Sequence, residues 1–319
     1  MTTDATPYLG PALETVARVL GLCDRESGSD TFGCCDRNHW HYRTTDFANA
    51  RMQEAGLLLA LAYAAPLPGN RFHGQPALQD WARAIWRFWL RRRNSDGSVV
   101  EVYPYERSNC ATSFTAAAFV ESVALLGGVD QWRHELGDAE KTFRWLSANS
   151  SLDVANQTAA SLLALTGYTR LNGNSGFKAA AERRRDEFVA TVAGDGTYPE
   201  YGGFDAGYQS ITLSTLIRAQ RLANGDPALG AAIKRGEAKL RGAIDRLGRT
   251  DPSVNSRRTQ FIYPYGLAAL KSPALKNIDA GLHQNAILLP TWLDDRYCIV
   301  MAIDYLLTAW ELFNANDDR

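Results

Sequence analysis

Every second helical stretch in this chain is unusually small and apolar, and that alternation limits its fold more than any other feature. Apolar residues recur at helical spacing nearly throughout and β-branched alternating runs are almost absent, so the chain reads as all-α. About twelve helical stretches stand out, near 10–22, 46–65, 76–93, 110–126, 131–148, 153–170, 175–193, 206–223, 227–247, 263–271, 276–289 and 295–314. The second of these and every other one after it, including DFANARMQEAGLLLALAY and CATSFTAAAFVESVALL, place small residues where neighbouring helices approach closely. Between them come charged, amphipathic stretches such as PALQDWARAIWRFWLRRR and LGAAIKRGEAKLRGAIDRL, each with one wet face. This predicts an inner ring of small helices and an outer ring of amphipathic ones. Helix pairs with apolar inner faces cannot bury them alone, so neighbours stack until the array closes or is capped. No fixed repeat period points to a solenoid, and the expected fold is an all-α (α/α)6 toroid of six hairpins, with little or no β-sheet, formed by residues 1–319 as one domain.

Composition permits a large core, with 45% hydrophobic and 22% charged residues among 319. Lys and Arg (34) balance Asp and Glu (35), so no global field steers the chain toward nucleic acid or an anionic membrane. The runs Arg91-Arg92-Arg93 and Arg183-Arg184-Arg185 read as solvated faces or helix-dipole partners. The N-terminus lacks the basic start and long apolar stretch of a signal peptide, and no stretch has ~18 uninterrupted apolar residues. The expected location is cytoplasmic, without membrane insertion. Five cysteines without framework spacing fit reduced thiols. Cys34-Cys35-Asp36 with His39 and His41 lacks the paired spacing of a structural zinc site, so neither metal nor cofactor is expected.

The loops entering the small helices hold most of the aromatic and ionisable residues, whereas the loops leaving them are ordinary turns such as PLPGN and ANGD. Before the first comes DRNHWHYRTTD; before the second, DGSVVEVYPYERSNC; before the fourth, DGTYPEYGGFDAGYQ; before the fifth, RRTQFIYPYG; before the sixth, LLPTWLDDRYC. Inner helices of a toroid run parallel, so these loops share one rim. Helix N-termini there carry unsatisfied N–H groups that favour anions. Tyr and Trp side chains add the flat apolar faces and polar edges that sugars need. Candidate substrate-binding residues are Asn38, Trp40, Tyr42, Arg51, Tyr103, Asp205, Tyr208, Gln209, Tyr263, Tyr265, Arg296 and Tyr297. Asn156 and Gln157 read equally well as sugar donors or as caps. Two loops repeat one pattern: Asp96-Gly97-Ser98 with Glu101, and Asp195-Gly196-Thr197 with Glu200. An Asp-Gly turn explains the two aspartates but leaves Glu101, Glu106, Glu200 and Asp205 without a structural reason.

At DRNHWHYRTTDFANARMQEA, DGSVVEVYPYERS and DGTYPEYGGFDAGYQS the chain resembles the α/α-toroid carbohydrate-active enzymes, especially the helical domain of heparinase-like and alginate-lyase-like polysaccharide lyases. The resemblance is one of architecture over most of the chain. It implies Asn or Arg neutralising a uronate carboxylate, His or Tyr as base and acid, and elimination across the C4–C5 bond. Asn38, His39, Tyr42, Tyr105 and Arg107 match those residue types. Many such lyases carry a β-sandwich after the toroid, whereas here only NANDDR follows the last predicted helix.

The expected function is therefore an enzyme cleaving an acidic oligo- or polysaccharide by β-elimination. His39 or Tyr105 would abstract the proton, with Arg107 and Asn38 on the carboxylate. Two alternatives stand beside it. One is glycoside hydrolysis by two carboxylates drawn from Glu101, Glu106, Glu200 and Asp205. The other is a non-catalytic glycan-binding protein in polysaccharide assembly.

Overall fold

Six short or small-residue helices close into a ring in the computed structural model, which describes residues 5–173 and 175–317. The extremities of the expected 1–319 unit and Asn174 of the NGNSG turn lie outside the described residues. The inner helices are α3 (Ala55–Ala64), α5 (Asn109–Leu125), α7 (Ala155–Asn172), α9 (Ala206–Leu222), α11 (Tyr265–Ala269) and α13 (Asp295–Asp317). Each packs on the next, and α13 packs on both α11 and α3, which closes the circle. The outer helices are α1 (Thr6–Leu22), α4 (Pro76–Arg91), α6 (Gly128–Ala148), α8 (Lys178–Thr191), α10 (Pro227–Gly242) and α12 (Leu275–His283). Helices α4, α6, α8 and α10 back the inner helix just before them, while α1 backs α13, so the first helix seals the last hairpin. The fold is an (α/α)6 toroid. Strand pairing among the described residues is limited to three isolated bridges, Val99 with Ser108, Val154 with Glu200 and Glu200 with Gly203.

Small residues make this ring possible by letting backbones approach. A Cβ on Gly56 of α3 would lie 2.6 Å from the Trp86 indole of α4, and one on Gly167 of α7 would meet Val120 of α5 at 2.6 Å. Several buried inner hydroxyls are satisfied within their own helices, as when Thr115 donates to the Ala111 carbonyl and Thr215 to that of Ile211. Outer helices bury a single stripe instead; in α6 it comprises Trp132, Glu135, Leu136, Ala139, Thr142, Phe143 and Leu146. The Asp295–Ala315 stretch of α13 is long and apolar enough to cross a bilayer, yet 67% of it is buried inside this structure. It is an inner helix of the core. All five cysteines are free thiols, with Cys23 and Cys35 in contact.

Boundaries depart from expectation where turn chemistry intervenes. The stretch predicted from 46 begins instead as a 3-10 turn over Ala50–Glu54, capped by the Asn49 side chain, before α3 starts. Helix α11 is only five residues long, entered through Pro264. Helix α10 stops at Gly242 rather than near 247, because Asp245 accepts the backbone N–H groups of Leu247 and Arg249 in a turn. The short helix α2 (Arg37–Trp40) adds a rim element. The basic runs behave as dipole partners: buried Arg184 donates to the carbonyls of Leu146 and Asn149 at the end of α6.

The repeated Asp-Gly loops are a fold device. Gly97 (φ 96°) lies against the backbone of Lys141 in α6, and Gly196 (φ 88°) against that of Arg235 in α10. Gly33 (φ 91°), which follows Phe32 rather than an aspartate, lies in the same way on Ala84 of α4. A buried glutamine then bolts inner helix, loop and outer helix together. Gln209 accepts from the Tyr198 N–H and donates to the carbonyls of Gly196 and Gly236. Gln53 makes the same three bonds to Cys35, Gly33 and Ile85. Gln209, expected to bind substrate, is therefore fully used in holding the fold.

Alanine at Gly196 would combine a left-handed backbone with a Cβ 2.3 Å from the Arg235 carbonyl oxygen. We expect Gly196→Ala to cost about 3 kcal/mol, seen as a clear fall in thermal midpoint by circular dichroism. An unchanged midpoint would contradict this packing.

Candidate active site

All six inner helices send residues from their N-terminal ends, or from the loops before them, into one pocket of about 210 Å³ on the ring axis. Arg51 comes from the turn before α3, Cys110 and Phe114 from α5, and Asn156 and Gln157 from α7. Tyr208 and Ile211 come from α9, Tyr263 from just before α11, and Arg296, Tyr297 and Val300 from α13. The rim loops add Glu101, Val102, Val154, Glu200, Tyr201 and Arg257. Phe114, Ile211 and Val300 also line a small void of about 20 Å³ deeper on the axis, beside Glu121, Arg218 and Asp304.

Two buried carboxylates in this pocket sit in contrasting surroundings. Glu101 receives Arg296 Nη2 on Oε1 at 2.8 Å and Ser108 Oγ on Oε2 at 2.7 Å. Ser108 is itself the N-cap of α5, so the cap that starts the helix also orients this carboxylate. Glu200 is 3% exposed. Its Oε2 accepts from Asn156 Nδ2 at 2.6 Å, while its buried Oε1 has no partner. Its backbone is fixed by bridges to Val154 and Gly203 and by Ser256 Oγ on its carbonyl. Burial pushes the Glu200 carboxyl up to about 7, against the pull of Arg257 and Asn156, with Asp205 adding to the rise. Glu101 is thus charge-paired, whereas Glu200 holds a proton near neutrality.

The arginines differ in the same way. Arg51 pairs with Glu54 at 2.6 Å, lies over the Phe114 ring and donates to Cys110 Sγ. Burial raises the Cys110 thiol to about 11, so it is a poor nucleophile. Arg257 stacks over Tyr201 at 4.6 Å and Tyr208 at 5.6 Å, and among the described residues it has no ion pair within 4.0 Å. Tyr208 and Tyr297 hydroxyls meet at 3.1 Å across the pocket.

The structure brings together Glu101, Glu200, Arg51, Tyr208, Tyr263, Arg296 and Tyr297 of the residues singled out in sequence. The others lie outside the pocket, each for a definable reason. His39 turns its Nδ1 to the Thr45 carbonyl, and Trp40 donates to the Leu22 carbonyl, both set by the short helix α2. Asn38 on α2 and Tyr42 just beyond it are exposed, with Arg37 over the Tyr42 ring. Arg107 pairs with Asp96, and Tyr103 and Tyr105 are 69% and 91% exposed. Glu106 accepts the N–H groups of Glu101, Val102 and Tyr103 and so shapes its loop. Asp205 caps α9 through Tyr208 N–H and takes those of Arg257 and Thr259. Tyr265 points toward the other end of the ring, accepting from Arg221. Asn156 and Gln157, which the sequence left open between sugar donors and caps, also line the pocket, as do Cys110, Tyr201 and Arg257. The only sequence signal for Arg257 was its place in a loop entering an inner helix.

The raised Glu200 carboxyl ties stability to pH. A folded pKa near 7, above the ordinary carboxylate value, means the stabilising proton is fully bound below about pH 4.5 and lost as pH rises through about 7. The cost at alkaline pH is on the order of 3 kcal/mol. Glu200→Gln should therefore flatten the decline in thermal midpoint between about pH 5 and about pH 8. Parallel melting curves for variant and wild type would contradict the assignment.

No protein-family model matches the chain, and no curated protein does. Among solved structures it is similar to that of a possible member of the GH105 family from Klebsiella pneumoniae subsp. pneumoniae MGH 78578. The match covers 97% of this chain and 82% of that one, at 11% identity and a TM-score of 0.48.

Proposed function

We propose that the protein is a glycoside hydrolase that removes an acidic sugar from the end of an oligosaccharide. The observation carrying this reading is the pair of buried carboxylates in one pocket, Glu101 charge-paired with Arg296 and Glu200 held by Asn156 with one oxygen free. Two carboxyl groups in such contrasting surroundings, one ion-paired with an arginine and one raised by burial, suit the base and the acid that glycosidic cleavage uses. Glu200 Oε1 delivers its proton to the glycosidic oxygen as the bond to C1 breaks. Glu101 accepts the proton of the water that attacks C1. Asn156 keeps Glu200 Oε2 as an acceptor, which leaves the proton on Oε1.

Charge accounting supports an anionic substrate. Among the groups that line the pocket, Arg51 is balanced by Glu54 and Arg296 by Glu101, and Glu200 is neutral when protonated, so Arg257 is the cation left for a ligand. A uronate carboxylate is the complementary group on a sugar. The volume supports action at a chain end, because about 210 Å³ falls below the roughly 300–1,000 Å³ of drug-sized pockets and suits one ring. Elimination, the mechanism favoured from sequence, relied on His39 or Tyr105 as base and on Arg107 and Asn38 at the carboxylate. All four lie outside this pocket, and hydrolysis is the better supported alternative.

Incubation with uronate-terminated and neutral oligosaccharides should release reducing ends without the ultraviolet absorbance of a new C=C bond. Glu200→Gln and Glu101→Gln should each lower kcat by about 10²–10⁴-fold. Activity should fall as pH rises through about 7, where Glu200 loses its proton. Unsaturated products, or full activity in both amide variants, would overturn the proposal.

A further inference from the structure

We propose that the rim around the pocket mouth is an outer binding surface for the rest of a glycan chain, with Tyr103 and Tyr105 as its stacking platform. This rests on the reading that the pocket holds the terminal sugar. Every large hydrophobic side chain exposed among the described residues lies in a loop entering an inner helix, and none lies on the opposite rim. Five of them are aromatic, Tyr42, Tyr103, Tyr105, Tyr201 and Trp292, and they come from four of the six loops. An apolar surface gathered on one face marks an interaction site rather than chance exposure. Aromatic rings with polar edges suit the faces of sugar rings better than a dry protein interface.

Tyr103 and Tyr105 are held out by design. Tyr105 takes a left-handed backbone (φ 62°), a conformation that costs a tyrosine energy and needs support from its surroundings. That support comes from Glu106, whose carboxylate gathers three backbone N–H groups of the loop, and from Asn94, which donates to the Glu106 carbonyl at 2.8 Å. The loop is thus pre-shaped while both rings face water, so folding gains little from them and a ligand gains a rigid platform. Continuity with the site is direct. Val102, next to Tyr103, and Tyr201 both line the pocket and are both exposed at its mouth. A pocket that takes one ring leaves the remainder of a longer glycan only this rim to lie on.

The test is native electrophoresis through gels containing polygalacturonate, hyaluronan, alginate or laminarin, with sedimentation velocity in parallel. Glu200→Gln, which spares the polymer from turnover, is the reference protein, and Tyr103→Ala/Tyr105→Ala is added to it. Both tyrosines are exposed, so the added substitutions leave the fold intact, as a superimposable circular dichroism spectrum verifies. At least one uronate polymer should retard the reference protein, and the tyrosine substitutions should weaken that retardation about tenfold in apparent affinity. Retardation by none of the polymers, or retardation the substitutions leave unchanged, overturns the proposal. A dimer of the reference protein that the substitutions dissolve would give the face to a second copy of the chain and also overturn it. The difference in retardation between the two proteins reads the rim, and the hydrolysis assays read the pocket, so each can fail without the other.

Discussion

The packing of α13 against both α3 and α11 is the contact on which everything else depends. It converts a row of helix pairs into a ring, and only a ring points six helix N-termini at one axis. Bonds across the pocket show what closure assembles. Arg296 of the last inner helix holds Glu101 of the loop before α5, and Tyr297 meets Tyr208 of α9. Helix α1 seals the same hairpin from outside, and its Arg18 reaches the carbonyls of Thr291 and Leu293 and the carboxylate of Asp295 at the base of α13. Both ends of the described chain thus meet on the helix that completes the site.

Within the rim loops, fold and chemistry are divided by how fully each carboxylate is satisfied. Asp96 and Asp195 close turns by accepting the backbone N–H groups of Ser98 and Thr197. Glu106 and Asp205 each accept three backbone N–H groups and have little capacity left for a ligand. Glu200 is the exception, with a buried oxygen left without a partner inside a pocket. A group kept in that state against the cost of burial is where chemistry is expected.

The ring was legible in sequence because its cause is compositional. A helix surrounded on all sides by other helices must be small and apolar on all sides, as α3 and α5 are, and one exposed on one face must not, as α4 and α6 show. The rim was legible for the same reason, since polar and aromatic residues collect where inner helices begin. Direction was not. Whether His39 faces the axis depends on the short helix α2, and whether Glu106 or Glu101 does depends on a loop folded around a carboxylate. The doubled Asp-Gly pattern pointed to both Glu101 and Glu200, yet their contrast arises from Arg296 and Asn156 on distant elements. Asn156, in the first turn of α7, has the same sequence appearance as a capping residue, and Arg257 lies in a loop outside any repeat.

The most direct test of this account is the carboxyl titration of Glu200 in the unliganded protein, followed by carbon NMR with the resonance assigned by Glu200→Gln. Burial with one free oxygen predicts a midpoint near 7. A midpoint in the ordinary carboxylate range would mean that Glu200 is ionised at neutral pH, and the acid at the centre of the proposed chemistry would be missing.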